Sequence, residues 1–380
     1  MHVFGRTDVG RTREHNEDSF LVADLSTENV SLQPEVRTHV VGPRGTLFMV
    51  ADGLGGAAAG EIASDLAVNT VYDELRERWV SDGSGEPEHF AASIKAAAES
   101  ANARIFTYAL EHPENRGLGT TATIAGLLGD TLYLAQVGDS RAYLVRDAVA
   151  RQITKDQSLM QRLIEAGELT PDEAERSERR NIILQALGPE PQVKIDLTFQ
   201  RLRRGDTLVL CTDGLSGLVR KDEIAEVVTR AADDLVEACR ELIDRANSNG
   251  GPDNITVIVA RFEGSGLADA APDDAVGHAV YPLAGAERPT PQGRQRLEGA
   301  RPALAGARTS GSTDERGAEN FAEAGTPPSQ PSRGWLWALM IVLVITAVAL
   351  AMRLWQSTNN GGGRASGAQD SVSGEMTPVP

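Results

Sequence analysis

The stretch TLFMVADGLGG, residues 46–56, joins a short apolar run to an Asp-Gly turn followed by more glycine. A continuous apolar run bounded by turn residues predicts a buried strand, here Thr46 to Ala51. The stretch TLVLCTDGLSG, residues 207–217, repeats this pattern with a strand from Thr207 to Thr212. Asp52 and Asp213 therefore each stand where a buried strand ends and the chain opens to solvent, a place where ligands often bind.

Further strands and helices are predicted on both sides of these stretches. TLYLAQV (131–137) and RAYLVR (141–146) flank Gly138-Asp139-Ser140, whose turn chemistry predicts a hairpin. A late strand is predicted from Asn254 to Phe262. Apolar residues at three- and four-residue spacing between Val68 and Trp79, and again between Leu235 and Ala246, predict helices with one face in the core. Antiparallel strands with helices before and after them favour an α+β layered domain over a doubly wound parallel sheet.

Composition divides the 380 residues and limits the possible partners. Residues 1–263 alternate apolar and charged segments, whereas residues 264–332 contain few large apolar side chains and are predicted to form a disordered linker. The formal net charge of −17 argues against a nucleic-acid partner, because phosphate backbones bind basic surfaces. Cys211 and Cys239 lie in apolar runs, which is typical of buried thiols in a reducing compartment.

One segment near the C-terminus is apolar enough to cross a membrane. Residues 335–352 read WLWALMIVLVITAVALAM and carry no charge. At about 1.5 Å per residue they nearly match a hydrocarbon core of about 30 Å. The flanking Arg333 and Arg353 and the nearby tryptophans are typical of interfacial anchors. Residues 333–353 are therefore predicted to form a transmembrane helix, and residues 354–380 a short polar tail. Because no secretory signal peptide is visible, residues 1–263 are expected in the cytoplasm of a single-pass protein of the cell membrane.

Aspartates recur in turns and at strand ends throughout residues 1–263. They are Asp18 in HNEDSF, Asp52 in VADGLGG, Asp139 in VGDSR, Asp213 in CTDGLSG and Asp253 in GPDNITV. Any one Asp-Gly is a common turn, but several carboxylates converging at one end of a sheet would repel each other unless cations neutralised them. Mg²⁺ and Mn²⁺ prefer such oxygen ligands. The set therefore predicts a divalent metal site.

Six motifs in this order resemble the bacterial branch of the metal-dependent protein phosphatase 2C family. They are R-x-x-x-E-D from Arg13, D-G-x-G-G from Asp52, G-T-T-A from Gly119, G-D-S-R from Gly138, T-D-G-L from Thr212 and D-N-x-T-V from Asp253. The match covers roughly residues 3–262. The resemblance implies an antiparallel β-sandwich flanked by helices in α-β-β-α layers, and hydrolysis of phosphoserine and phosphothreonine.

The same resemblance implies a role for each site residue. Asp52 would bridge two Mn²⁺ or Mg²⁺ ions and the carbonyl of Gly53 would bind one of them, while Asp213 and Asp253 would bind the other. Asp18, supported by Glu17, would act through metal-bound water, and a third ion found in some relatives would use Asp139 with Asp213. Arg13 would bind the substrate phosphate. A hydroxide held between the two ions would be the nucleophile. Arg13, Asp52 and Asp213 are thus the predicted catalytic residues.

This sequence also departs from the family pattern. Where relatives often carry a histidine after the glycines, this chain has Leu54 and Ala57, so the general acid is unassigned, with metal-bound water favoured over His15. Residues 154–188 resemble the flap beside the site, but Gln157 and Ser177 replace histidines. The expected partners are phosphorylated proteins and a cognate serine/threonine kinase. The alternatives are a pseudophosphatase or phosphoprotein-binding module, against which the complete set of aspartates argues, and a sensor that receives signals through its tail.

Overall fold

The computed structural model describes residues 1–30, 38–115, 117–271 and 274–283. The strands in that part of the chain are β1 His2–Asp8, β2 Asp18–Asp24, β3 Asn29–Val30, β4 Thr46–Leu54, β5 Gly119–Thr120, β6 Ala122–Leu128, β7 Thr131–Val137, β8 Arg141–Arg146, β9 Val149–Gln152, β10 Asp196–Arg201, β11 Thr207–Cys211 and β12 Ile255–Arg261. The α-helices are α1 Ala57–Leu75, α2 Pro87–Glu111, α3 Leu159–Glu165, α4 Pro171–Glu175, α5 Asp213–Ser216, α6 Lys221–Arg230 and α7 Leu235–Ser248. A π-helical turn, Arg76–Val80, continues α1, and a 3₁₀ turn follows α2 at Pro113–Asn115.

The strands form two antiparallel sheets. One has the order β1-β12-β11-β8-β9, and the other has the order β10-β7-β6-β4-β2-β3, with β5 paired to β4. Apolar side chains of both sheets, among them Phe48, Leu134, Leu210 and Ile258, share a fully buried cluster. The two sheets therefore pack face to face, because burying these faces removes apolar surface from water.

Helices cover the outer face of each sheet. α1 and α2 share one buried cluster with the larger sheet, with Val71 and Ile94 packed beside Met49. α6 and α7 share another with the smaller sheet, where Ile224 and Leu242 are fully buried. The predicted α-β-β-α order and the two core-facing helices are confirmed.

The segment between β7 and β8 differs from the sequence prediction. β7 pairs with β6 and β10 in the larger sheet, whereas β8 pairs with β11 and β9 in the smaller one. The predicted hairpin is therefore wrong, because the chain crosses between the sheets here. Gly138 has a φ of 95°, and the side-chain amide of Gln136 donates hydrogen bonds to the carbonyls of Gly138 and Ser140. These contacts fix a sharp crossing that places Asp139 between the sheets.

The chain continues to pack on the larger sheet beyond residue 263, where the sequence predicts the linker to begin. We call residues 264–271 and 274–283 the strap. Val280 forms an antiparallel bridge with Thr198, at the edge strand β10. The ring of Tyr281 meets Phe199 edge-to-face, with centroids 5.7 Å apart, and Asp274 accepts hydrogen bonds from Arg203. The strap therefore covers the exposed edge of β10.

The predicted membrane segment lies outside the residues that the structure describes. Among residues 1–30, 38–115, 117–271 and 274–283, no helix combines the length and the apolar character needed to cross a bilayer. The remainder of the predicted linker, the predicted span at 333–353 and the tail at 354–380 all lie outside the described residues.

Candidate active site

The predicted aspartates come from both sheets and meet at one end of the sandwich. Asp18 begins β2 and is directly opposite Asp52 of β4 in the larger sheet. Asp213 follows β11 and Asp253 precedes β12, both in the smaller sheet. Asp139 lies in the crossing between the sheets. The face-to-face packing of the sheets therefore assembles a cluster that neither sheet could form alone.

The carboxylate of Asp18 joins the two sheets. Its Oδ2 accepts hydrogen bonds from the hydroxyls of Thr212 at 2.9 Å and Thr256 at 2.6 Å, both in the smaller sheet. Its Oδ1 is buried and has no hydrogen-bond partner among the described residues. A buried charged oxygen without a partner is costly and needs an explanation, which a bound cation would supply.

The backbone of Asp52 is fixed by the two threonines of the G-T-T-A motif. The hydroxyl of Thr120 and the amide of Thr121 both donate to the carbonyl oxygen of Asp52, at 2.8 and 2.9 Å. The amide of Asp52 in turn donates to the hydroxyl of Thr121 at 3.0 Å. These contacts satisfy the backbone of Asp52 and leave its carboxylate to face the cluster.

Gly53 lies where a side chain would not fit. A Cβ at this position would lie 2.2 Å from the carbonyl oxygen of Gly60 in α1 and 2.6 Å from that of Glu17. The amide of Gly53 donates to the same Glu17 oxygen at 3.1 Å. Glycine at residue 53 therefore lets the start of α1 approach the loop that precedes Asp18.

Burial and mutual repulsion disfavour the ionised form of most of these carboxyls. Burial raises the pKa of Asp18 to about 7 and that of Asp139 to about 7. Burial, together with the charge of Asp253, raises the pKa of Asp213. The pKa of Asp52 lies well above its usual value because of burial and then the charges of the four other aspartates. Asp52 is thus the carboxyl whose pKa is raised by the charges of all four other aspartates.

Arg13 lies at the rim of the cluster. Its guanidinium Nη2 is 3.0 Å from Oδ2 of Asp253, and about half of its side chain is exposed. The charge of Asp253 raises the pKa of Arg13. A half-exposed guanidinium beside a carboxylate cluster can reach an incoming phosphate, since the fork of an arginine matches phosphate oxygens.

A cavity of about 180 Å³ contains the predicted residues. Its lining comprises Arg13, Glu17, Asp52, Gly53, Leu54, Thr121, Asp139, Asn181, Ile183, Asp213, Asp253 and Asn254. Asp18 is not part of this lining and is only 8% exposed. Burial raises the pKa of Glu17. A larger open depression of about 570 Å³ adjoins Arg204 and Arg261, but both arginines already bond to carbonyl or carboxylate oxygens.

The donor set suits divalent cations. Acidic oxygens, a backbone carbonyl and room for water are what Mg²⁺ and Mn²⁺ use. No group of three His, Cys, Asp or Glu side chains in the described residues meets the geometry of a metal site as it stands. Coordination would therefore need water and the carbonyl of Gly53 in addition to the carboxylates. The partnerless oxygen of Asp18 and the raised pKa values favour such a cation, because it would relieve both.

Two features of the site concern the positions where this sequence lacks the histidines of the family pattern. His15 is exposed and does not line the cavity, and Leu54 lines it without a titratable group. Gln157 lies at the start of the flap, where its amide bonds to Asp196 at 2.9 Å and accepts from the amide of Gly138 at 3.1 Å. It therefore connects the flap to the crossing that carries Asp139.

Several neighbours of the aspartates were missed by sequence reasoning. Asn181 and Ile183 bring the flap into the cavity, while Thr212, Thr256 and Asn254 hold the site together. The last three lie inside the quoted motifs, so their position next to the aspartates was the available signal.

Comparison with known proteins gives consistent results. A family model described as protein phosphatase 2C matches residues 31–254. The serine/threonine phosphatase stp of Listeria monocytogenes is 37% identical over 259 residues, covering 68% of this chain and 95% of the relative. The serine/threonine protein phosphatase PstP of Mycobacterium tuberculosis is 35% identical over 260 residues, which is 68% of this chain and 45% of PstP.

Solved structures share the fold at similar identity. The Streptococcus agalactiae serine/threonine phosphatase has a TM-score of 0.60 and 31% identity, covering 69% of this chain and 99% of its own. The catalytic domain of PstP in complex with two manganese ions has a TM-score of 0.55 and 34% identity, covering 69% and 98%. In both cases the similarity covers about two thirds of this chain and nearly all of the other.

Proposed function

The chain belongs to the protein phosphatase 2C family, and on that premise we propose that it hydrolyses phosphoserine and phosphothreonine in cytosolic proteins. The observation that carries the proposal is the cluster of five aspartates, drawn from both sheets, with Arg13 at its rim. The complete set of carboxylates favours an enzyme over a pseudophosphatase. A cognate serine/threonine kinase, whose products this chain would hydrolyse, is the partner that we propose.

The metal part of the proposal assigns two Mn²⁺ or Mg²⁺ ions to this cluster. Asp52 and the carbonyl of Gly53 would hold one ion, and Asp52, Asp213 and Asp253 the other. Asp139 would contribute to a third. When bound, such ions would supply an acidified water as the nucleophile and positive charge for the phosphoryl oxygens. The two manganese ions in the PstP catalytic domain support this assignment.

The side chains of this chain would prepare the substrate. Arg13 would bind two phosphate oxygens through its guanidinium and orient the phosphorus towards the cluster. Thr212 and Thr256 would hold the carboxylate of Asp18 in place, so that its free Oδ1 can accept a proton or a hydrogen bond from water. Leu54 and Ile183 would exclude bulk water from part of the cavity.

The location of the enzyme is also a proposal. We infer from the apolar residues 335–352, with their flanking arginines, that the chain crosses the cell membrane once, with the catalytic domain in the cytoplasm. The linker would let the tethered domain search for substrates near the membrane. Because the strap packs on the domain up to residue 283, about 49 residues of linker would remain before the predicted span, and random-coil scaling gives a reach of about 40 Å.

Release of phosphate from a phosphothreonine peptide tests the activity. The full-length chain should release phosphate with Mn²⁺ present and lose this activity in EDTA. A matched phosphotyrosine peptide should be hydrolysed more slowly. A chain that binds the phosphothreonine peptide with Mn²⁺ but releases no phosphate would refute hydrolysis and support the phosphoprotein-binding alternative.

A further inference from the structure

The side chain of Asn254 connects the loop that carries Arg13 to the loop that carries Asp253. We infer that Asn254 is a positioning residue, which holds Arg13 where it can bind the substrate phosphate. This role rests on the proposed phosphatase function, and it concerns how the substrate is placed and not how it is cleaved.

Both the nitrogen and the oxygen of the Asn254 side-chain amide make hydrogen bonds. Its Nδ2 donates to the carbonyl of Val9 at 3.0 Å and to that of His15 at 2.9 Å. Its Oδ1 accepts from the amide of Glu17 at 2.8 Å. The residue is only 4% exposed. One buried side chain thus fixes the beginning and the end of residues 9–17, which we call the β1–β2 loop.

Arg13 lies between these fixed points. The β1–β2 loop also touches the loop before β12 through its backbone, since the amide of Arg11 donates to the carbonyl of Gly251 at 2.7 Å. A Cβ on Gly10 would lie 2.2 Å from the carbonyl oxygen of Asp253. This close approach brings the guanidinium of Arg13 to the carboxylate of Asp253.

The position of Arg13 depends on this support more than the positions of the predicted metal ligands do. The side chain of Arg13 is about half exposed, and Asp253 is its hydrogen-bond partner within the described part of the chain. A flexible arginine loses side-chain entropy when it is ordered, so fixing its backbone lowers the cost of binding phosphate. Asp18, by contrast, is held by two threonine hydroxyls that do not involve Asn254.

Asn247 offers a matched control. It is also buried, and its Nδ2 donates to Oδ1 of Asp8 at 3.1 Å, just before the β1–β2 loop. It makes no hydrogen bond to residues 9–17 in the described structure. Asn247→Ala therefore removes a similar buried amide near the same strand without releasing the loop.

Kinetics of the full-length chain with Mn²⁺ and a phosphothreonine peptide test the role. Asn254→Ala should raise KM about tenfold, as expected when a buried hydrogen-bonding side chain is removed, and change kcat less than about threefold. Asn247→Ala should leave KM unchanged. The affinity for Mn²⁺, measured by calorimetry, should stay within about threefold in both variants.

A double-mutant cycle with Arg13→Ala shows whether Asn254 acts through the arginine. If it does, adding Asn254→Ala to Arg13→Ala should raise KM by less than about twofold more, because the supported group is already absent. If the two effects on KM multiply, or if Asn254→Ala weakens Mn²⁺ binding and leaves KM unchanged, the inference is overturned.

Amide hydrogen exchange gives a measurement that does not depend on catalysis. In Asn254→Ala the amides of residues 10–16 should exchange about tenfold faster or more, and in Asn247→Ala at the parental rate. Unchanged exchange in Asn254→Ala would refute the inference even in an active enzyme. If the parent chain has no phosphatase activity but the two variants still differ in exchange as expected, only the proposed function would be refuted. If Asn254→Ala does not fold, Asn254→Asp keeps the shape and the acceptor for Glu17. It replaces the donating NH2 group by an oxygen and adds a carboxyl, so the same cycle and exchange experiments apply.

Discussion

Replacing Asp18 by asparagine should stabilise the metal-free protein while it disables the metal-loaded one. Burial raises the pKa of Asp18 from 3.8 to about 7. The folded protein therefore retains a proton that the unfolded chain has already lost between about pH 4 and pH 7. Because the pKa is higher in the folded state, the free energy of unfolding falls as the pH rises through this window. The amide side chain of the variant does not ionise, so the variant would escape that loss.

The size of the effect follows from the same numbers. A rise from 3.8 to about 7 corresponds to at most about 4 kcal/mol above pH 7, at about 1.4 kcal/mol per pH unit. The carbonyl oxygen of the new amide can accept from Thr212 and Thr256, but its NH2 group replaces an oxygen without a partner. A buried unpaired donor costs about 1–3 kcal/mol. We therefore expect a net gain of about 1–3 kcal/mol at pH 8 that falls to about zero at pH 5.

Urea unfolding in EDTA at pH 5, 6.5 and 8 measures this difference. With Mn²⁺ at a hundred times its Kd the gain of the variant at pH 8 should fall to about zero or below, since the ligand then stabilises the parent by about 2.7 kcal/mol and a variant that binds it more weakly gains less. Asp269→Asn is a control for the substitution itself, because the side chain of Asp269 is 80% exposed and lies outside the cluster. An Asp18→Asn variant that is less stable than the parent at pH 8 in EDTA, or a difference that does not vary with pH, would refute the reasoning.

Three further outcomes are expected. Asp213→Asn should reduce phosphopeptide hydrolysis more than about a thousandfold, because it removes a charge on which the binding of the ions depends. Its circular dichroism spectrum should be unchanged. Activity within about tenfold of the parent would contradict the metal assignment. Truncation after Ser332 should move the protein from the membrane fraction to the supernatant, and a truncated protein that sediments with membranes would contradict the predicted span. A fragment of residues 1–283 should be more stable to urea than residues 1–263 by about 1–2 kcal/mol, because the strap adds two edge-to-face ring contacts of Tyr281. Equal midpoints would show that the strap contributes nothing.

The elements of the fold could be predicted because their signals are local. The apolar runs at 46–51 and 207–212 became β4 and β11, and the stripe from Leu235 to Ala246 became α7. Which strands share a sheet was harder to predict. Gly138-Asp139-Ser140 has the composition of a hairpin turn, but the crossing between sheets depends on the side chain of Gln136 and on strands that are distant in sequence.

The site could be predicted as a set of aspartates but not as a set of contacts. Asp18 and Asp52 are directly opposite each other on neighbouring strands, and the motifs already marked both. The threonines that hold Asp18 lie inside two of these motifs, but the motifs do not show that they bond to Asp18, because threonine is common in strands for packing reasons alone. Thr212 is 194 residues from Asp18 in sequence, so only the packed sandwich shows the bond between them.

The origin of the cluster in two separate sheets has a consequence for the life of the protein in a cell. A nascent chain, a proteolytic fragment or a partly unfolded molecule that retains one sheet with its aspartates still lacks the opposing half of the ligand set. Dephosphorylation would therefore begin only after β12 has been synthesised and the two sheets have packed, and it would stop when the sheets separate. An incompletely folded molecule would therefore not dephosphorylate its substrates. The loss of its activity during denaturation would measure when the two sheets separate.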